Sequence, residues 1–465
     1  MLVTLFVTAC LTPEKKSILT NDSQDPSFQL DKGQKYQYEE ARFKDIKSEI
    51  DYWYSQKEGS IGKEHYTQLL QRLHDLKEIS PAEIELYKQR LDAIVLAEDG
   101  KSDGPNENQE NGKPLGSCEG SGPVTFTAAP MNVEEIEKIE PLGLMIGGHV
   151  TPIDHGYYSG KKWTPSSERK EEEFVDVFAP AAGLVEVRSM PSVYASSKIG
   201  DYRLILRHSC TFYTIFIHVN QISEKLLKVA DGKGFASVKA GEVIGRAPGF
   251  DFSVHNDEVT LNGFIVPSSY EAEEWKIHTI DLFDSFSEPL RTQLLEKNIR
   301  QAEPRSGKID YDIDGKLVGN WFEEGTNGYK GKEEFDRMPG YWQTHIAFAY
   351  DGYDPSLVII SLGDFAGEAQ QFAIKGNGPD PKEINPESGM LKYELIKYDY
   401  KTASGERWDR WHFAKIGEAY GLESEIQGVV LVQMLEKRKI KLEVFPYQKG
   451  SEIIGFTNNA KIYVR

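Results

Sequence analysis

The chain is short of basic residues, of cysteine and of long apolar runs. Its 465 residues include 54 Lys and Arg against 73 Asp and Glu, which gives a formal net charge of −19. We therefore expect no nucleic-acid partner, because affinity for nucleic acid depends on basic side chains that displace counterions. Beyond the N-terminus, no apolar run approaches the roughly 20 residues of a membrane-spanning helix. The sequence also has no Walker loop and no Rossmann glycine fingerprint.

Length and composition indicate a globular chain with more than one domain. A chain of 465 residues exceeds what one ordinary core can organise, so two or three domains are expected. The acidic balance favours solubility and repels other polyanions.

The few cysteines are informative because of where they stand. Residues 1–9 (MLVTLFVTA) are apolar and lead into Cys10 through small residues, which resembles a bacterial lipobox. On this interpretation residues 1–9 are a residual signal, Cys10 is lipidated, and residues 10–35 tether an extracytoplasmic protein to a membrane. A basic segment before the apolar run is missing, which is consistent with a reading frame that begins upstream of Met1. The alternative is an ordinary apolar N-terminus.

Two further cysteines remain, Cys118 and Cys210. In an oxidising compartment they are expected to form one disulfide. If the lipobox is spurious and the protein is cytosolic, a reduced pair is the alternative.

Residue patterns divide the rest of the chain. Apolar residues at three- and four-residue steps predict a helical hairpin or bundle over 36–98, with a spacer or docking role. Residues 99–122, rich in Gly, Asn, Ser and Pro, predict a linker. Short β-branched and aromatic runs then predict a β domain over 123–306, ending in a helix at 282–299, and an all-β sandwich or barrel over 307–465. Strands are expected at residues 124–127, 174–178, 183–187, 202–207, 211–218, 309–322, 345–350, 357–362, 370–375, 391–398, 429–445 and 453–464.

The stretch 147–158 (GGHVTPIDHGYY) has the densest set of metal-ligating side chains. His149, Asp154 and His155 fall within seven residues, with Pro152 between them and glycine on both sides. Such a loop can hold part of a metal site. The alternative is a turn with two incidental histidines.

Five later motifs follow this loop along the chain. They are residues 177–185 (VFAPAAGLV), 201–208 (DYRLILRH), 213–223 (YTIFIHVNQIS), 238–245 (VKAGEVIG) and 250–255 (FDFSVH). In that order they resemble the landmarks of the lysostaphin-type (LytM-like) zinc endopeptidases, which cut peptidoglycan cross-bridges. The resemblance covers about a third of the chain.

The resemblance implies a central antiparallel β domain of the duplicated hybrid motif type, with zinc as cofactor. His149 and Asp154 correspond to the first pair of ligands, and His255 corresponds to the metal-binding second histidine of His-x-His. His218 corresponds to the catalytic histidine. In such sites zinc activates a water and polarises the scissile carbonyl, while the flanking histidine acts as base.

Two departures from the family pattern weaken the enzymatic interpretation. The first ligand pair is spaced His-x-x-x-Asp in the family, whereas one extra residue separates His149 from Asp154; His155 is an alternative ligand. The first histidine of His-x-His is Ser253, whose hydroxyl cannot replace an imidazole base. Loss of one acid/base group commonly lowers the rate by roughly 10²–10⁴.

Three functions remain open. The first is a cell-envelope binding or scaffold protein, whose degenerate LytM-like domain engages a cell-wall peptide or an envelope protein partner without cutting it. The second is a zinc-dependent endopeptidase with an altered ligand set. The third is a structural surface protein that works through its C-terminal β domain.

Other motifs carry weaker signals. Asp310, Asp312 and Asp314 match the opening of a calcium loop, but the twelfth position is Trp321, so a hairpin turned at residues 314–315 is favoured. His208 and the histidines outside the motifs are expected to be structural. The aromatic pair at 408 and 411 fits a sugar- or peptide-binding surface or a half-buried strand. These histidines are His208, His278, His345 and His412.

Overall fold

The computed structural model describes residues 118–163, 170–190, 199–332, 340–410 and 413–465 and, further upstream, residues 47, 50, 60–61, 69–70, 73, 79–92 and 95–96. The chain divides into two compact units, Met1–Gly112 and Lys113–Arg465. The predicted lipidation site Cys10 and the predicted tether lie outside the described residues.

The described part of the N-terminal unit is mostly helical, with one pair of short strands. Helix α1 (Pro81–Asp92) begins after Ser80, whose carbonyl accepts the amide of Ile84 at 3.1 Å. Its buried residues pack with apolar residues from the preceding segment: Ile50, Leu69, Leu73, Ile79, Tyr87 and Leu91. The apolar stripe does not continue in helix to Val95 as predicted, because Val95–Leu96 (β2) pairs in parallel with Ser60–Ile61 (β1). Among the described helices, none has the length and apolar character needed to cross a membrane.

The second unit begins with two antiparallel sheets, which we call the sheet module. The larger sheet has seven strands in the order β10-β6-β7-β8-β12-β4-β3, and the smaller has three in the order β5-β11-β9. The strands are β3 (Ile136–Glu140), β4 (Gly156–Gly160), β5 (Val175–Phe178), β6 (Gly183–Ser189), β7 (Tyr202–Arg207), β8 (Phe212–Val219), β9 (Gln221–Ile222), β10 (Ala236–Val238), β11 (Val243–Ala247) and β12 (Gly249–Asn256). Helices α2 (Glu224–Leu227) and α3 (Leu290–Lys297) and a 3₁₀ segment, Pro267–His278, accompany them.

The central strand β12 is buried along its whole length and gives each face of the sheet a different character. Phe250, Phe252 and Val254 join the main apolar core of the module. Because side chains alternate along a strand, Asp251, Ser253 and His255 point to the other face. The polar residues of β12 are therefore gathered on one side.

The second unit continues with a closed antiparallel barrel of eight strands, each paired with the next in the chain. The strands are β13 (Gly319–Glu323), β14 (His345–Tyr350), β15 (Val358–Phe365), β16 (Glu368–Ile374), β17 (Met390–Thr402), β18 (Ile416–Glu436), β19 (Lys439–Pro446) and β20 (Lys461–Val464). Buried apolar side chains such as Trp321, Phe348 and Val430 form one core cluster. A barrel of eight strands has an interior just wide enough for side chains. Of the two predicted architectures for this region, the barrel is the one observed.

The long β17–β18 hairpin reaches from the barrel to the edge of the sheet module. Its connecting segment brings Arg410 to Glu140 of β3, with Nε 3.0 Å from Oε1. Lys138, also on β3, donates to the Arg410 carbonyl and lies 3.5 Å from Glu140. These side-chain contacts join the hairpin to β3, whose backbone edge is bridged by the segment at Asn298 and Ile299.

Several predicted elements differ from the structure. Residues 309–318 form no strand, and only Gly319–Glu323 does so. Residues 124–127 contribute one isolated bridge, Phe126 to Phe286, and the predicted helix 282–299 is confined to α3. The predicted strand 429–445 is the end of β18 and all but the last residue of β19.

One disulfide joins Cys118 to Cys210, across 92 residues of sequence. It ties the segment before β3 to the turn between β7 and β8. Backbone contacts run beside it, since the Cys210 amide donates to the Gly120 carbonyl at 3.0 Å. The pairing expected from the sequence is thus present.

Candidate functional site

The histidine-rich loop forms a tight turn that leads into β4. Ile146 and His149 exchange backbone hydrogen bonds of 3.2 and 3.0 Å, which places His149 at the base of the turn. Asp154 and His155 follow immediately before β4 and are both buried. The carbonyl of Pro152 accepts a 2.8 Å hydrogen bond from Lys276. The loop is thus fixed by backbone and side-chain contacts.

The barrel holds the tip of this loop. The Gln371 amide accepts from Gly147 N and donates to Gly147 O, each at 3.0 Å. The Trp342 ring lies so close to Gly148 that an added Cβ would sit 2.9 Å from it. Only glycine fits at position 148. The position of His149 therefore depends on the barrel as well as on the sheet module.

Five side chains form a continuous row of carboxylates and imidazoles, which we call the acid–imidazole row. His218 Nδ1 lies 3.1 Å from both oxygens of Asp201, and His155 Nδ1 lies 3.2 Å from Asp154 Oδ1. The Nε2 atoms of the two rings lie 3.7 and 3.4 Å from the same atom, Asp251 Oδ2. His155 Nε2 is buried and is not aligned for a hydrogen bond. Each imidazole is thus oriented by one carboxylate and faces another.

His218 is the accessible member of the row. Its side chain is 34% exposed, whereas that of Asp201 is 1% exposed. Its φ of 66° lies in the left-handed region, which few residues other than glycine adopt. Such strained backbone is concentrated at functional sites.

Opposite charges at the other end of the row stabilise each other. Burial lowers the pKa of His155, but the Asp251 and Asp154 carboxylates outweigh it and raise that pKa above its ordinary value. Burial raises the pKa of Asp154, yet Lys276 and His155 hold it well below its usual range. Lys276 Nζ lies 4.0 Å from Asp154 Oδ1. Asp154 is therefore a carboxylate near neutral pH.

His255 lies on the same face but has its own partners. Its Nδ1 is 3.0 Å from the Trp275 carbonyl and its Nε2 is 2.7 Å from Ser253 Oγ. A carbonyl can only accept, so Nδ1 carries the proton and Nε2 accepts from the Ser253 hydroxyl. Burial lowers the pKa of His255 to about 4, in agreement with a neutral ring. Both ring nitrogens are thus occupied by protein groups.

The predicted metal ligands lie near one another, but they do not converge on one point. The His149 and His155 ring centroids are 5.6 Å apart in an edge-on contact. Burial lowers the pKa of His149 to about 3, and His155 adds to this effect. Within the part of the chain that the structure describes, no group of three or more His, Cys, Asp or Glu side chains has the arrangement of a metal site.

Three residues of the site were not singled out from the sequence. Asp251 lies two residues before Ser253 and four before His255, and this spacing on a strand was the available signal. Asp201 is the residue immediately before β7, and Lys276 lies in the 3₁₀ segment. Nothing local in the sequence links them to the loop.

Apolar and basic side chains continue the same face beside the row. Cross-strand pairs align Asp251 with Ile217, Ser253 with Ile215 and His255 with Tyr213. The Arg207 guanidinium stacks over Tyr213, with its carbon 5.0 Å from the ring centroid. A second stack joins Arg203 to Trp275 at 5.4 Å. The face therefore combines isoleucines with two arginine–aromatic stacks.

The remaining candidates have structural partners. Asp310, Asp312 and Asp314 turn to separate cations, Lys308, Arg465 and Arg438, and do not gather around one point. His208 lies between the Ala182 carbonyl and Thr214, and His278 lies beside the Val259 carbonyl. Trp408 is buried and donates to Ala414, while Trp411 and His412 lie outside the described residues.

Comparisons with known proteins give little support for a family. No protein-family model matches the chain, and no curated protein matches it. Among solved structures, a chain from the structure of the SpoIIQ–SpoIIIAH pore-forming complex is similar, with 14% identity and a TM-score of 0.21. The match covers 29% of this chain and 87% of that chain. A likeness this weak supports no inference about function.

Proposed function

We propose that this chain is a cell-envelope lipoprotein, anchored outside the cytoplasm through Cys10, whose sheet module is a degenerate LytM-like domain. The domain acts as a binding or scaffold module: it engages a cell-wall peptide or an envelope protein partner and does not cut it. The proposal rests on the sequence motifs together with the geometry of the site.

The state of His255 carries the non-catalytic part of the proposal. The resemblance makes this residue a zinc ligand, but its Nε2 accepts from Ser253 and its Nδ1 donates to Trp275. A neutral ring with both nitrogens engaged must give up a buried hydrogen bond before it can bind a metal.

Zinc, which the resemblance implies, does not fit the predicted ligands as they are arranged. Zinc–ligand distances are nearly fixed, at roughly 2.0–2.2 Å for imidazole and carboxylate. His149, Asp154, His155 and His255 do not form a set of that kind among the described residues. We therefore derive no reaction step through zinc, and uptake of the metal stays a prediction to be measured.

The face beside His218 supports peptide binding. Arginine guanidinium groups bind carboxylates, and wall peptides carry free carboxylates and amide groups that suit the two arginine–aromatic stacks. Ile217 and Trp275, which are partly buried against the cluster of Ile205, Tyr213 and Ile215, supply apolar contact area beside the stacks. His218 adds a partly exposed imidazole at the end of this face.

The first test combines binding, cleavage and metal content. The full chain is mixed with purified insoluble peptidoglycan and sedimented, soluble products are analysed by mass spectrometry, and zinc is measured by elemental mass spectrometry. We expect co-sedimentation, no new amine or carboxyl ends and no stoichiometric zinc. The Arg203→Ala variant should bind about tenfold more weakly, as expected for loss of one charged contact.

A matched control separates the site from general charge. Arg188 lies on β6, and its side chain is 56% exposed and paired with Glu186. Arg188→Ala should leave sedimentation unchanged. New peptide ends together with about one zinc per chain, lost in His255→Ala, would establish the peptidase instead. Absence of co-sedimentation would contradict wall binding and leave the protein partner.

A further inference from the structure

Two interfaces of the barrel have only two paired positions each, β13 with β20 and β16 with β17. Between β16 and β17 these positions are Ala373 with Ile396 and Ile374 with Leu395. The next interface, β17 with β18, pairs from Met390 to Thr402. Register shifts near Ile396 bend β17, because a bulge increases the local twist of a strand. The two strands therefore separate beyond their two paired positions.

Each separated strand keeps one partner and turns its other edge to the gap. On β16, Gln370, Gln371 and Phe372 pair with β15. On β17, Tyr398 and Asp399 pair with β18. The opposite edges of these segments have no strand beside them among the described residues. Unpaired strand edges present amide and carbonyl groups that can pair with another chain.

A cleft of about 420 Å³ occupies this gap. Its walls carry side-chain amides, an aromatic face and two ion pairs: Lys397 with Glu425 at 3.4 Å and Arg407 with Asp399 at 2.6 Å. Because each charge is paired, the cleft is polar and close to neutral. Glutamine amides reach it from both sides, Gln370 from β16 and Gln427 from β18.

We propose that this cleft binds an extended polypeptide segment, which adds as a strand to the free edge of β16. Main-chain hydrogen bonds along Glu368–Phe372 supply the affinity, and uncharged polar side chains of the segment meet Gln370 and Gln427. Five paired residues correspond to about 17 Å of strand. The site belongs to the barrel, so it goes beyond the function proposed for the sheet module and does not depend on it.

The test uses a phage-displayed library of twelve-residue peptides, selected on the full chain. Selected peptides are synthesised and titrated by fluorescence polarisation, and each backbone amide is then methylated in turn. A strand donates alternate amides to its neighbour, so methylation should weaken binding about tenfold at every second position and little in between. Strand addition would be overturned if methylation weakened binding at every position, at no position, or without alternation along the peptide. Failure to select any peptide would overturn it as well.

Two variants of this chain test where the selected peptides bind. Gln427→Lys places a cation in the neutral cleft and should weaken the selected peptides at least tenfold. Gln433→Lys makes the same change on the same strand, outside the cleft, and should leave them unchanged. Equal affinities for the two variants would place the peptides elsewhere and overturn the proposal. Displacement of the labelled peptides by chitin oligosaccharide at a lower concentration than unlabelled peptide requires would assign the cleft to a sugar and also overturn it.

Discussion

At the residue scale, the buried histidines of the second unit set its response to acid. His345 is 1% exposed and lies among aromatic rings, with centroids 5.0 Å from Phe322, 5.2 Å from Tyr329 and 5.6 Å from Tyr341. Its Nε2 has no hydrogen-bond partner. Burial lowers the pKa of His345 to about 3, so the ring is neutral in the folded protein. A charged imidazolium in this position would be buried and repelled by the Lys276 ammonium group.

This environment predicts a pH-dependent loss of stability. The folded pKa lies below the unfolded one, so the contribution of His345 is complete above about pH 6.5 and is lost as the pH falls towards the folded pKa. His345→Phe should therefore lose about 2 kcal/mol less unfolding free energy than wild type between pH 7 and 5. Urea unfolding of both proteins at the two pH values measures this difference. Equal losses would contradict the prediction, because the other titrating groups are common to both proteins.

The same residues indicate how far sequence reasoning reaches. His149, Asp154, His155 and His218, which were singled out from the sequence, lie in one region of the second unit. Asp251, which lies between His155 and His218, could have been found from its alternation with His255 along one strand. Lys276 could not, because only tertiary packing brings it to the Pro152 carbonyl.

At the scale of elements, the contact between β3 and the β17–β18 hairpin rests on buried charge. The Glu140 side chain is 4% exposed, and it accepts from Arg410 and from the hydroxyl of Tyr353. Burial raises the pKa of Glu140, but Arg410 and Lys138 outweigh it and hold that pKa below its ordinary value. The carboxylate thus compensates two cations at this contact.

Removing that charge should destabilise the contact strongly. Glu140→Gln removes the buried carboxylate that pairs with Arg410 and Lys138, and breaking a buried pair commonly costs about 3 kcal/mol or more. Glu186→Gln is the control, because its partner Arg188 is exposed and such surface pairs contribute about 1 kcal/mol or less. Urea unfolding compares the two variants. Similar losses would mean that the Glu140 charge has no special role.

Elements with local signals were predicted well, and those shaped by tertiary contacts were not. The predicted bounds of β7 and β14 are those observed, because alternating apolar runs between turns define them. Residues 309–318 have a composition typical of a strand. In the structure, however, Asp310 accepts from the backbone N–H of Gly263 and Asp312 accepts from the backbone N–H of Asn320. The two carboxylates accept hydrogen bonds from backbone amides that a neighbouring strand would otherwise pair with. The pattern of apolar and polar residues does not indicate such contacts.

At the scale of the whole molecule, one covalent link and many non-covalent ones organise the second unit. Cys118–Cys210 closes a long loop within the sheet module, while Gln371, Trp342 and Arg410 connect the module to the barrel. The disulfide reduces the conformational entropy of the unfolded chain, whereas the non-covalent contacts stabilise the folded chain.

The disulfide should therefore contribute to stability without shaping the site. Closing a loop across 92 residues stabilises a fold by about 4 kcal/mol in the chain-entropy model. A variant with both Cys118→Ser and Cys210→Ser should lose about this amount in urea unfolding, and reductant should lower wild type to the same midpoint. Sedimentation with peptidoglycan should be unchanged at low temperature, since the Cys210–Gly120 and Ser209–Gly122 hydrogen bonds still hold the turn. Cys10→Ser is the control, because it removes a cysteine that lies outside this loop. A double variant as stable as wild type would show that the unfolded chain is already constrained by other contacts.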